Sequence, residues 1–308
     1  MAERPPLRIA FGRDAAAIFD VGVPVLFGDA VDDLFATAQP AGRNGSLALF
    51  KRKDWLLGVA VVSTSSGLES ATQQVYHDIF QATRGLHLAR IWNYVPGINE
   101  PGPAGLENYR AFCLGRSLAF EQQHGAAFKF LVPAASAVGC QSPALTVAFA
   151  ASRATPRHVE NPLQVSACDY PPEYGPRSPS FARATIVTGG DSATVFISGT
   201  AAIRGHATVA PDEIVGQLAC TLANLNEISR ACGLGAEFDR GGRSSRHFKV
   251  YVRRAIDQPR VAATLGEQLL GPGDRVSYLL ADICRQPLLV EIEATLIGVA
   301  VLSPATLA

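Results

Sequence analysis

The alternation of apolar and polar positions divides the chain into strands and amphipathic helices whose order occurs twice. "WLLGVAVVSTSSG" (55–67) is an apolar run ending in small polar residues, and "ESATQQVYHDIFQATRG" (69–85) follows it with helical character. The same succession returns in "VFISGTAAIRGH" (195–206) and "APDEIVGQLACTLANLNEISRACG" (210–233). In the second helix Ile214, Leu218, Leu222 and Leu225 recur at helical spacing, with Pro211 at the first helical position and Asp212 and Glu213 in the first turn. "RIWNYV" (90–95) and "FKVYVRR" (248–254) read as matching strands, Val250 and Val252 on one face and Lys249, Tyr251 and Arg253 on the other. A second helix comes next in each half, "LENYRAFCLGRSLAFEQQ" (106–123) and "QPRVAATLGEQLL" (258–270). Each half closes on a Cys, two residues, a Pro and an extended strand: "CQSPALTVAFAA" (140–151) and "CRQPLLVEIEAT" (284–295).

Two such halves predict an α+β (mixed α/β) architecture, each half a β-sheet with helices packed on one face. The proline-rich polar run "RATPRHVENPLQVSACDYPPEYGPRSPS" (153–180) reads as linker and loop and divides the chain into domains 1–155 and 156–308.

Aligned by their Cys and Pro, the closing strands set Glu291 opposite Val147 and Glu293 opposite Phe149. The second copy thus carries acids where the first is apolar. Two readings stand side by side. Glu291 and Glu293, sharing a face with Leu289 and Thr295, are the wet side of a half-exposed strand, or one is an acid on a partly apolar face with a raised pKa, able to donate a proton near neutrality.

Composition narrows the remaining classes. The 308 residues carry no net charge, which removes the bulk electrostatics of a nucleic-acid or membrane-surface binder. The N-terminus lacks an apolar leader core, and no apolar run is long enough to span a bilayer. Cysteines 113, 140, 168, 220, 232 and 284 form no CxxC pair and the six histidines no ligand spacing, which predicts reduced thiols, a cytoplasmic location and no metal. No phosphate-binding glycine motif and no G-x-S-x-G elbow is present. Ser198–His206 is a small-residue loop that lets a ligand approach backbone; Arg240–Arg254 is a basic run, either solvated or offering a guanidinium to a carboxylate. Tyr109, Arg110, Cys113 and Arg116 lie on one helix, with 109, 113 and 116 on one face.

The motifs "IWNYVPGIN", "NYRAFCLGR", "PSFARA", "FISGTAAIRGH", "KVYVR" and "DICRQPLLVEIE" together resemble the chorismatases. That family joins a RidA/YjgF-like C-terminal domain to a degenerate N-terminal copy, and the resemblance covers nearly the whole chain. It implies that Glu291 protonates the enolpyruvyl methylene of chorismate, after which pyruvate leaves, and that Cys284 marks the 3-hydroxybenzoate-forming branch, with 4-hydroxybenzoate as a second product in some members. The loop at Ala201 and Ala202 is where the resemblance implies a glycine in the aromatising type. For the substrate it implies arginine clamps, with Arg110, Arg116, Arg183 and Arg253 as candidates, and contributions from Tyr109, Cys113, Tyr174, Gly199 and Ala201. No organic cofactor is implied, and RidA-like relatives suggest a homotrimer, with a monomer the other possibility. The alternatives are a hydrolytic chorismatase giving a dihydroxycyclohexadiene carboxylate, and a non-catalytic RidA-like binder of small ligands. No arginine stands at Tyr278, where a RidA imine deaminase has its ligand-binding one.

Overall fold

The computed structural model describes residues 4–12, 16–103, 105–235 and 238–300. Three N-terminal strands, β1 (Pro6–Phe11), β2 (Ala17–Gly28) and β3 (Val31–Asp32), precede the first half. That half runs β4 (Gln39–Asn44), β5 (Leu47–Arg52), β6 (Trp55–Ser63), α1 (Leu68–Ala82), β7 (His87–Pro96), α2 (Asn108–His124), β8 (Ala134–Cys140) and β9 (Ala144–Ser152). The second half opens with β10 (Arg157–Val159), β11 (Ala184–Gly189), β12 (Ser192–Ala201) and a small hairpin of β13 (Ile203–Arg204) and β14 (Ala207–Thr208). It then continues through α3 (Ile214–Cys232), β15 (Ser245–Val252), α4 (Gln258–Gln268), β16 (Arg275–Leu280) and β17 (Val290–Ala300).

The predicted repeat is present in the strand order. The first sheet runs β4-β5-β6-β9-β7-β8 and the second β10-β11-β12-β17-β15-β16-β2-β1-β3. The shared block has one parallel pair in each copy, β7 with β8 and β15 with β16, within an otherwise antiparallel pattern. In each copy that parallel pair is joined by a crossover through a helix, α2 or α4, as parallel strands require.

The sheets lie face to face. Phe50, Leu57, Trp92, Tyr94, Ala148 and Ala150 of the first share a core with Val21, Val23, Phe196, Tyr251 and Leu279 of the second. Trp55 and Trp92 both meet the Phe196 ring edge-on, at centroid distances of 5.8 and 6.1 Å. On the outer faces, α1 and α2 cover Ile91, Val95, Val147 and Phe149, while α3 and α4 cover Val250, Val252, Val290 and Ile292.

Four readings of the sequence change here. Residues 6–32 extend the second sheet through β2 and β16, so sheet membership does not follow a single cut at residue 155. The predicted helix at 210–233 starts at Ile214, because Ala210 and Asp212 take left-handed backbone angles and Glu213 is the cap, accepting from the amides of Val215 (2.8 Å) and Gly216 (2.6 Å). The run 153–180 is more than a linker, since it holds β10 and one wall of the cavity described below. The strand alignment is out of register. Val147 and Phe149 face the helices, whereas Glu293 bonds Trp92 in the intersheet core, so the Cys–Pro pairing matches residues on opposite faces. Strand β9 is extended from Ala144 onward, whereas residues 284–287 bend and turn and β17 begins only at Val290, so equal counts from the two prolines do not conserve the face. The same-face counterparts of the two acids are drawn from Thr146, Ala148 and Ala150.

Candidate active site

Neither acid is on a wet face. Glu291 is 4% and Glu293 3% exposed, both directed between the sheets. Beside Glu291 a cavity of about 610 Å³ opens at one end of the sandwich. Both halves build it. Ser136 and its neighbours on β8 form one wall and Gly199 and Ala201 at the end of β12 another; Tyr109, Arg110 and Arg116 come from α2. Tyr170, Tyr174, Phe181 and Arg183 come from the 160–183 segment, and Cys284 to Pro287 from the loop before β17.

Glu291 pairs in register with Ala201 of β12, just past a register shift between Ile197 and Thr200. The irregularity brings Gly199 flat against the acid: a Cβ there would lie 1.9 Å from Glu291 Oε1, so any side chain at this position would push the carboxyl out of its place. Ser198 anchors this turn, accepting from the Ala135 amide (2.9 Å) and donating to the Ala182 carbonyl (2.6 Å). No hydrogen-bond donor among the described residues reaches the Glu291 carboxyl. Burial, and then the charge of Glu293, push its pKa up to about 8, against a smaller opposing pull from Arg90. At neutral pH Glu291 is therefore mostly a carboxylic acid facing a cavity.

Glu293 has the opposite environment. It accepts from Arg90 Nη2 (2.7 Å) and Trp92 Nε1 (2.8 Å), and Lys249 Nζ lies 3.4 Å away. Although burial opposes it, Arg90 and Lys249 hold its pKa below the ordinary carboxylate value.

Cations surround the cavity. Arg116, 2% exposed, donates to the Ser180 carbonyl and stacks near Tyr76, Phe112 and Phe181. Arg183 lies 4.9 Å from the Phe181 centroid and donates to Tyr170 Oη (2.9 Å) and the Val165 carbonyl (3.0 Å). Phe181 is thus flanked by two guanidiniums. The buried Nε of Arg116 has no hydrogen-bond partner and that of Arg183 has Glu160 Oε2 3.9 Å away, and both guanidiniums line the cavity with positive charge to offer an anion. Arg110 stays near the rim, paired with Glu107 at 3.1 Å. Cys284 lines the wall, its thiol pushed up to about 12 by burial and by the nearby Glu291.

Two expected residues lie elsewhere. Arg253 is not on the wall; it donates to the carbonyls of Leu288 (2.7 Å), Ile283 (3.1 Å) and Arg285 (3.1 Å), to Asn99 Oδ1 (2.9 Å), and to Asp282. It shapes the loop carrying Cys284. Cys113 is packed in the helix-side core against Tyr109, its thiol also raised to about 12 by burial. Conversely, sequence reasoning passed over Arg285, whose guanidinium lies 3.9 Å from the Tyr174 ring centroid and donates to the His206 carbonyl (2.8 Å). Its position directly after Cys284 in "DICRQPLLVEIE" was the available signal.

A family model described as chorismatase FkbO/Hyg5-like, N-terminal, matches residues 33–151, the stretch directly after β3 that holds the first sheet. A chorismatase of Streptomyces hygroscopicus is 38% identical over 260 residues, covering 82% of this chain and 75% of its own. A 3-hydroxybenzoate synthase of the same species is 37% identical over 234 residues, covering 72% and 68%. The crystal structure of a chorismatase superposes with a TM-score of 0.75 at 36% identity, covering 83% of this chain and 79% of that one.

Proposed function

Because the chain belongs to the chorismatase family, we propose that it converts chorismate to 3-hydroxybenzoate and pyruvate with Glu291 as the proton donor. The observation that carries this reading is a buried carboxyl group, without a hydrogen-bond donor among the described residues, facing a cavity ringed by Arg116, Arg183 and Arg285. Chorismate carries two carboxylates and an enolpyruvyl ether, so it needs cations at its ends and an acid at its middle.

The guanidiniums hold the dianion with the enol-ether methylene carbon against Glu291. Proton transfer from the carboxyl to that carbon places positive charge on the ether carbon and oxygen. The ionised Glu291 left behind stabilises this oxocarbenium ion. As the ring C3–oxygen bond breaks and pyruvate leaves, the neighbouring C4 hydroxyl oxygen closes onto C3 and gives its proton back to Glu291. The resulting epoxide opens at its C4–oxygen bond with loss of the C3 proton, leaving the hydroxyl on C3 of the aromatic ring. Aromatisation then consumes no water, whereas the hydrolytic outcome requires one. Cys284 stays a neutral thiol at ordinary pH and is a poor nucleophile. Its role is steric, filling the space beside Glu291 and disfavouring a water there.

One observation favours the hydrolytic outcome instead. Ala201, the register partner of Glu291, puts a methyl group on the cavity wall where the aromatising type is expected to have glycine.

The test is incubation with chorismate, following pyruvate by a coupled assay and the ring product by NMR. We expect 3-hydroxybenzoate; the dihydrodiol would establish the hydrolytic reading, and no pyruvate would remove both. Glu291→Gln is expected to lose about 10²–10⁴-fold in kcat while still binding chorismate. Cys284→Ala is expected to divert product toward the dihydrodiol, and an unchanged product would discharge Cys284 from that role.

A further inference from the structure

The two carboxylates of β17 stand two residues apart on one face, yet only Glu293 is hydrogen-bonded, and its partners come from across the molecule. Arg90 and Trp92 belong to β7 of the opposite sheet. Arg90 also donates to Ser136 Oγ of β8 at 2.9 Å. Lys249 of β15 is in turn gripped by Asp32 of β3 at 2.6 Å. Arg90 and Lys249 both lie over the Trp92 ring, 5.1 Å from its centroid. Four charges, two of each sign, with Asp32 half-buried and the other three buried, thus close into a neutral network. Buried ion networks of this kind are often no more stable than apolar residues of the same volume, so stability gives no evident reason for one here.

Its place beside Glu291 supplies a reason. We propose that Glu293 is a positioning residue for the acid: a fixed negative charge that keeps Glu291 protonated and turned toward the cavity. This rests on the reading of Glu291 as proton donor. The groups facing Glu291 are Glu293, Tyr251 and Cys284, with Arg90 beyond them as an opposing cation, and Arg116, Arg183 and Arg285 stand around the cavity it opens on. Arg90 donates through Nη2 to Glu293 and Ser136, its Nε and Nη1 staying unpaired, and Lys249 is shared between Glu293 and Asp32. No hydrogen bond of either cation therefore goes to Glu291, and Arg90 opposes its protonation only by charge at a distance. On the far side of Asp32 stand His247 and the exposed cluster of Arg275 with Asp29 and Asp33.

Neutrality makes the proposal testable in two directions. Glu293→Gln leaves the network one charge positive. The alkaline limb of the kcat/KM profile should then move down by about one pH unit or more, since like charges at this spacing interact by that order. Turnover should fall about tenfold at pH 8 and stay near wild type at pH 6. Lys249→Met leaves the network one charge negative, and the limb should move up. Glu293→Asp keeps the charge and should keep the limb in place even if kcat drops. A purely structural Glu293 would lower turnover by one factor at all pH values, or move both limbs the same way, and either result overturns the proposal.

Should the variants misfold, the wild-type protein decides. Carboxyl carbon-13 labelling of the glutamates should show one buried pair titrating in two widely split steps, the lower below the ordinary range and the upper near 8, with the upper signal absent in Glu291→Gln. A Glu293 signal that stays protonated at neutral pH would sink the idea. If instead Glu291→Gln retains turnover, the fault lies with the acid assignment itself.

Discussion

At the scale of single residues, opposite surroundings give two adjacent carboxylates opposite states. Glu291 is raised to about 8 and Glu293 is lowered, so one is acid and one is anion over the neutral range. The catalytically useful form of Glu291 is the protonated one, so kcat/KM should fall tenfold per pH unit above about 8. Stability carries the same signature with a definite sign. A folded-state pKa above the unfolded value means full stability below the unfolded value of about 4.5 and progressive loss as pH rises toward 8. Glu291→Gln does not titrate, so its melting temperature should gain on wild type between pH 5 and 8, by several degrees. Gly199 offers a second check. Gly199→Ala sets a methyl group into the Glu291 carboxyl, and turnover should drop by at least about 10²-fold, the size of effect that displacing an acid produces, with melting nearly unchanged. "VEIE" in an apolar strand already marked both acids, but their separation into roles did not follow from the strand. It depends on Arg90 and Trp92, about two hundred positions earlier in the chain.

At the scale of elements, loops and helix termini set the cavity, and the roles of the arginines separate there. Arg116 and Arg183 hold their guanidiniums against Phe181 on the cavity wall, whereas Arg253 spends its donors on the loop 282–288. Arg183→Met should therefore raise KM for chorismate at least tenfold with little change in melting. Arg253→Met should lower the melting temperature by several degrees, since it orphans buried carbonyls, and leave no selective effect on KM. Thermal melts and steady-state kinetics on the same preparations distinguish the two. Helix and strand periodicity located α1, α2, α3 and α4 to within a few residues of their observed ends. It placed the start of α3 too early, because Pro211 and the acids before Ile214 suit a first turn as well as a cap, and only backbone angles choose between them. The register of β9 against β17 was lost for a similar reason. Matching Cys–Pro pairs say nothing about how many residues pass before pairing begins, and a one-residue slip exchanges the two faces.

At the scale of the whole molecule, two copies of one topology close around a shared core, and the cavity exists only where both meet. The N-terminal strands belong to this closure. They extend the second sheet, supply Leu7, Val21 and Val23 to the intersheet core, and deliver Asp32 to Lys249. A chain restricted to residues 156–308 should consequently expose its intersheet face and collect in aggregates or bind a hydrophobic dye, and the full chain should not. Among the described residues no helix is long and apolar enough to cross a membrane. The order of elements, the duplication, the unusual acids in the second copy and the family itself were all determined by the sequence, because local periodicity and short motifs are properties of neighbouring residues. Which face those acids occupy, which acid keeps its proton and which arginines reach the cavity were decided only by the tertiary structure. Each of these depends on desolvation and on charges brought together from distant parts of the chain, and no local pattern records that distance.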